Sequence, residues 1–284
     1  MFFSIIEASI YGVVYMSEII KISNLSFRYQ NKFVFDKFEL KIRDGEWVSI
    51  VGPNGSGKST LVKILVGLLE SDSNIIIDNL TLNKDNLVHI RKKIGVVFEN
   101  ADDSFVAETV ADDIAFTLEN LAYDPKEIGN MVTNIASLFK IENILEKEPH
   151  QLSGGEKQKV ALAAALVAKP KILIIDDALE MVDDNAKGEI LAALKKLHKD
   201  NHLTIITITH NLEETYNADR MVVINGGNIL IDGPVKDVLQ EDKIFNRIGM
   251  EIPFMVDLSI KLKLYGLVDH MILDMDDMVN ALWK

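Results

Sequence analysis

At 284 residues the chain has room for one large domain, or for one domain with a small appendage. Its 48% hydrophobic and 26% charged residues are the balance of a globular protein. A net charge of −13 argues against nucleic acid as a partner, because phosphate binding needs a basic face, and the lack of cysteine excludes disulfides and thiolate metal sites. No segment reaches the roughly 20 apolar residues of a membrane span. The longest candidate, MFFSIIEASIYGVVYM at residues 1–16, is interrupted by Glu7 and lacks the Lys or Arg of a signal peptide. It is read as an N-terminal extension to a domain over residues 17–248.

Residues Ser17 to Phe27 alternate as a half-buried strand does, and Lys37–Ile42 and Trp47–Val51 read as two more strands, with a turn at Asp44-Gly45. A Gly-rich loop then opens a helix from Lys58 to about Leu68. Asn74–Asp78 and Ile94–Phe98 are short strands. From Glu108 to Lys147 the pattern turns helical, with Pro125 at a helix start; a helical subdomain inserted at about 100–168 follows from this. A helix at Gly154–Ala168 leads to a strand at Lys171–Asp176, and a helix around Asn185–Lys199 leads to a strand at Leu203–Thr209. Arg220–Ile224 and Asn228–Ile231 flank a turn at Asn225-Gly226-Gly227. Alternating strands and helices imply an α/β fold with a mainly parallel core sheet, beside which the early strands form an antiparallel β-subdomain. Residues 249–284, with Pro253, two short helical stretches and acidic Asp274, Asp276 and Asp277, read as a C-terminal appendage too small to hold a core of its own.

Gly52-Pro53-Asn54-Gly55-Ser56-Gly57-Lys58-Ser59 fits the phosphate-binding loop in full, after a strand and before a helix, with Thr60 inside the helix start. Its glycines let backbone N–H groups converge on an anion, and the helix adds its positive end. Lys58 is placed to reach the β- and γ-phosphates of ATP, and Ser59 to coordinate Mg²⁺. The apolar strand ending at Asp176 supplies the carboxylate that anchors the metal in such a fold. Leu152-Ser153-Gly154-Gly155-Glu156 opens a second helix with paired glycines, again an anion-binding arrangement. One nucleotide does not need two such sites, so the second is expected to cap the γ-phosphate held by another subunit.

With these motifs in this order, residues 18–248 resemble an ATP-binding cassette (ABC) ATPase. The resemblance implies that Tyr29 stacks on adenine, that His210 in ITHNLEE touches the γ-phosphate, and that Asp183 in EMVDD couples two ATP sites. Asp183 also suits a helix N-cap. GVVFENADDSFVAETVADDIAFTLEN and the ending MVNALWK resemble the ATPases of energy-coupling factor (ECF) transporters, the latter their A-type member. That implies an ATP-hydrolysing motor of a vitamin importer, or of a related cobalt or nickel importer, at the cytoplasmic face of the membrane. The implied partners are a second, different cassette, a transmembrane coupling subunit and a substrate-binding membrane subunit. Docking of the membrane partner is implied near the Glu99 loop and Phe105–Leu121, with Phe116 expected inside the subdomain.

Two positions depart from the family. Glu99 stands where Gln is usual as a metal ligand, and Asp177 stands where Glu is usual as general base. Both bear on hydrolysis at this chain's own site, and they keep one alternative open, a cassette that binds ATP and regulates with little hydrolysis; a soluble ABC ATPase outside transport, which uses the same motifs, is a second alternative.

Overall fold

The computed structural model describes residues 17–71, 73–180 and 182–283; the extension at 1–16 lies outside them. In chain order the strands are β1 Glu18–Tyr29, β2 Lys32–Arg43, β3 Trp47–Val51, β4 Asn74–Ile77, β5 Leu80–Thr81, β6 Ile94–Val97, β7 Ile172–Asp176, β8 Thr204–Thr209, β9 Arg220–Asn225 and β10 Asn228–Pro234. The helices are α1 Lys58–Leu65, α2 Leu87–Arg91, α3 Val110–Asn120, α4 Pro125–Phe139, α5 Gly154–Leu166, α6 Asp184–Asn201, α7 Val235–Val238, α8 Asp242–Ile248, α9 Phe254–Leu264 and α10 Met275–Leu282.

Two sheets result. One is antiparallel in the order β2-β1-β4-β5; the other runs β10-β9-β3-β8-β7-β6 and is parallel except for the β9–β10 hairpin. β3, β7 and β8 are buried along their whole length, which is why each reads as an unbroken apolar or small-residue run. Their alternate side chains serve two faces. Val48, Ile50, Ile174, Ile206 and Ile208 join α1 and the antiparallel sheet in one core. Trp47, Leu173, Ile175 and Ile205 join the helical subdomain in another.

Several boundaries differ from expectation. β2 begins at Lys32, because Phe33 and Phe35 pair with Arg28 and Phe27 across a tight hairpin. α1 stops at Leu65, where Gly67 takes φ +67° and turns the chain. The helical stretch is two helices with local caps: the Thr109 side chain accepts from the Asp112 amide, and the Asp124 side chain accepts from Lys126 ahead of Pro125. The strand β5 and the helices α2 and α8 carry too short a pattern to read from sequence. The appendage packs on the cassette, with Val256 and Met271 in one core with Phe245, Val51 and Val223.

Candidate functional site

The strand register builds the site. β3, β8 and β7 are neighbours, with Val51 opposite Thr209 and Ile208 opposite Asp176. The chain leaves all three at the same edge, the carboxyl end, where ligands of open parallel sheets bind. The phosphate loop follows β3, His210 follows β8, and Asp176 and Asp177 close β7. β6 pairs with β7 through Val97 and Ile175, which brings the Glu99 loop to the same edge.

Within the loop, Gly57 has φ +108°, and a Cβ there would lie 2.9 Å from Phe35 Cζ. Only glycine meets both demands, so the antiparallel sheet closes over the loop at this residue. The Ser56 side chain is buried with no hydrogen-bond partner among the described residues. Buried Lys58 donates from Nζ to the carbonyls of Gly52 at 2.7 Å and Pro53 at 3.2 Å. Burial pulls the Lys58 ammonium below its ordinary value, and the charges of Asp177 and Asp176 act against that pull. Ser59 Oγ donates to Asp176 Oδ1 at 3.4 Å. The Asp176 carboxyl is pushed up to about 6, by burial first and by the neighbouring Asp177 second. Two adjacent carboxylates beside a serine hydroxyl make a hard oxygen donor set of the kind that suits a divalent cation.

Asp177 sits in the left-handed region at φ +49°, and its amide donates to the Ile208 carbonyl at 2.8 Å. Its Oδ1 lies 3.1 Å from Nδ1 of His210. Tyr29 is exposed at the end of the hairpin whose Val34 and Phe35 touch Gly57, and its ring meets Phe27 edge-on at 5.0 Å.

The Leu152–Glu156 motif is built locally as a capping box. Ser153 Oγ accepts from the Glu156 amide at 3.3 Å, and Glu156 accepts from the Ser153 amide at 2.8 Å. These bonds hold the Glu156 carboxyl below its usual range. Ser153 and Gly154 are exposed. Gly155 is not: a Cβ there would stand 2.8 Å from Ala186 Cβ and 3.0 Å from Asp183 Oδ2. The signature therefore packs on the Asp183 turn. Asp183 itself caps α6, accepting from the Ala186 amide at 3.1 Å.

A family model for ABC transporters matches residues 35–180. The chain is 42% identical to the energy-coupling factor transporter ATP-binding protein EcfA1 of Leuconostoc mesenteroides, over 87% of this chain and 92% of that protein. It belongs to the ECF transporter ATP-binding proteins, within the ABC ATPases. It is also 38% identical to EcfA1 of Bacillus subtilis, over 94% of this chain and 97% of that one. Among solved structures, CbiO1 of Clostridium perfringens, described as part of the ABC transporter complex CbiONQ, superposes with a TM-score of 0.74 at 29% identity, covering 85% of this chain and 98% of that one. A dimeric ATP-binding cassette in a post-hydrolysis state with ADP and phosphate superposes at 0.69 and 28% identity, covering 76% of this chain and 98% of that one. As an ABC ATPase the chain binds and hydrolyses ATP.

In this ECF ATPase the edge does not gather every expected residue. The Glu99 side chain is exposed and makes no hydrogen bond or ion pair among the described residues; its carbonyl accepts from Gln158 Nε2 at 3.4 Å. Two residues escape the sequence reading. Gln158, buried in α5, also donates to the Ala178 carbonyl and so ties the signature helix to the turn after Asp177. Glu180 lies 3.3 Å from Nε2 of His210. Gln158 stands two residues after the signature, which was the available signal; nothing in sequence marks Glu180. Phe116, expected inside, is 45% exposed, because α3 turns Val110, Ile114 and Leu118 inward and leaves position 116 on its outer face.

Proposed function

We propose that the chain is a motor cassette of an ECF-type importer for vitamins or related micronutrients, cobalt or nickel among them, working at the cytoplasmic face of the membrane. The observation that carries the pairing is that the two anion-binding helix starts rest on different elements. The phosphate loop lies on the sheet edge, whereas the capped, exposed start of α5 packs against the Asp183 turn. A second cassette in head-to-tail contact joins each loop to the other chain's Leu152–Glu156 signature. The different partner expected here is a heterodimer with a second ECF ATPase.

In this reading the backbone of Gly52 to Thr60 and the Lys58 ammonium cradle the β- and γ-phosphates, and Tyr29 stacks on adenine. The unpartnered Ser56 hydroxyl and the Ser59–Asp176 pair suit Mg-ATP. Ser59 and Asp176 would hold Mg²⁺, with Glu99 as a further ligand only once its exposed side chain turns toward this pair, and the ion would supply positive charge to the developing phosphate oxyanions. Asp177 is the general base, His210 touches the γ-phosphate, and Asp183 couples the two sites. Asp177 is one methylene shorter than the usual Glu, and misplacing a base by that order costs roughly a hundredfold. Hydrolysis at this chain's own site is therefore slower than at the site its signature completes.

The membrane contacts are proposed along the stretch from the Glu99 loop to Leu121, where Phe98, Val106 and Phe116 are exposed. A transmembrane coupling subunit docks there and joins the substrate-binding membrane subunit. The exposed Leu264, Tyr265 and Trp283 of the appendage suit contact with the second cassette. Among the described residues no helix is long and apolar enough to cross a membrane. Mass spectrometry of the complex purified from native membranes tests the proposal. Recovery with a second cassette and an integral membrane subunit is expected; recovery free of any membrane subunit overturns it.

A further inference from the structure

Glu180 stands three residues after Asp177 and has no part in the roles assigned above. Its Oε1 lies 3.3 Å from Nε2 of His210, while Asp177 Oδ1 lies 3.1 Å from Nδ1 of the same ring. Both ring nitrogens thus face carboxylates, and the ligand atoms of the three side chains all fall within 4.8 Å of one another. Glu180 and His210 also line one cleft with Pro53 and Asn54 of the phosphate loop. Carboxylates accept and do not donate, so holding one at each ring nitrogen takes the imidazolium form, which has two N–H donors. With Nδ1 held by Asp177, Nε2 is the one left for a phosphate oxygen, and Glu180 occupies it.

We propose that Glu180 is a latch on His210: its carboxylate holds the place at Nε2 that the γ-phosphate takes, and so sets how strongly this site prefers ATP to ADP. The proposal rests on the reading of His210 as the γ-phosphate contact. A terminal phosphate oxygen and the Glu180 carboxylate are anionic acceptors competing for one donor. ADP carries no γ-phosphate, so it does not meet this competition. Glu180 is 44% exposed, so on release its charge returns to water and is not buried. Asp177 keeps its hold on Nδ1, and the ring stays aimed while the partner at Nε2 changes. General repulsion from the Glu180 charge would act differently: it would weaken ADP as well and would not need His210.

The test is calorimetric titration of ATP and of ADP, each with magnesium, onto the full chain as wild type, Glu180→Gln, Glu180→Ser, His210→Ala and the double variant His210→Ala/Glu180→Gln. Both Glu180 variants are expected to tighten ATP about three- to tenfold, the scale of one ordinary hydrogen bond, because the half-exposed Glu180–His210 pair is screened by water. ADP affinity should stay unchanged, which also reports an intact phosphate loop. In the His210→Ala background the Glu180 change should have no effect. Unchanged or weakened ATP binding in the Glu180 variants, an equal gain for ADP, or a gain that persists without His210 each overturns the latch. Should His210→Ala alone leave ATP affinity where it was, the assignment of His210 falls and takes the latch with it. A loss in His210→Ala with no gain in the Glu180 variants removes the latch and leaves that assignment standing.

Discussion

Replacing Asp176 by Asn should stabilise the nucleotide-free protein at neutral pH, and the structure sets by how much. Asp176 is 6% exposed at the end of β7. Burial and the adjacent Asp177 push its carboxyl from an ordinary 3.8 up to about 6, against the Ser59 hydrogen bond and the charge of Lys58. A raised carboxyl value means that the native state prefers the protonated form. The favourable term is fully present below the unfolded value, near 4, and is lost as pH rises through about 6. Above that the folded chain carries a charge it disfavours. At about 1.36 kcal/mol per unit, the cost at pH 7 is about 3 kcal/mol, falling to roughly half at pH 5. Asn keeps the size and an acceptor for Ser59 without the charge. Urea unfolding of both full-length proteins between pH 5 and 8, followed by the fluorescence of buried Trp47, measures the difference. The Asn variant should be more stable by up to about 3 kcal/mol at pH 7 to 8, with the gap narrowing toward pH 5, and it should lose ATPase activity. An Asn variant equal to or less stable than wild type at pH 7.5, or a gap that widens on acidification, would refute the reasoning.

Three further outcomes are expected. Lys58→Ala removes a charge-assisted contact to phosphate worth about 1.5–3 kcal/mol and should lower ATP affinity at least tenfold in a titration calorimeter; equal affinity would remove Lys58 from the phosphates. In the assembled cassette pair, Asp177→Glu should speed turnover of ATP at this chain's own site, followed by single-turnover hydrolysis. Asp177→Asn should hardly change the total rate, and a strong loss there would mean that this chain's own site carries a full share of turnover and that the two sites are not unequal.

The chemistry-bearing residues were legible because they are local. A phosphate loop needs its glycines at fixed spacing between a strand and a helix, so Gly52–Ser59 carries its own context, and the capping box at Ser153 and Glu156 closes within one helical turn. The buried strands β3, β7 and β8 read clearly because strands covered on both faces are rich in Ile, Val and Leu, with Ser49, the β8 threonines and the terminal Asp176 as their only polar residues. Sequence alone therefore determined the family, and it marked out the nucleotide site and the second subunit that are proposed above. What only the tertiary structure decided is which side chains from separate elements meet. The strand order β3-β8-β7 places His210 against Asp177, and nothing in the spacing of positions 177, 180 and 210 fixes that the ring's second nitrogen faces Glu180. The outward turn of Phe116 followed from the facing of α3 on the core, which depends on the helices it packs against, and the Gln158 bridge followed from the approach of α5 to the turn after β7. Such contacts depend on the packing of whole elements rather than on neighbours in the chain, and single-sequence periodicity carries no term for them.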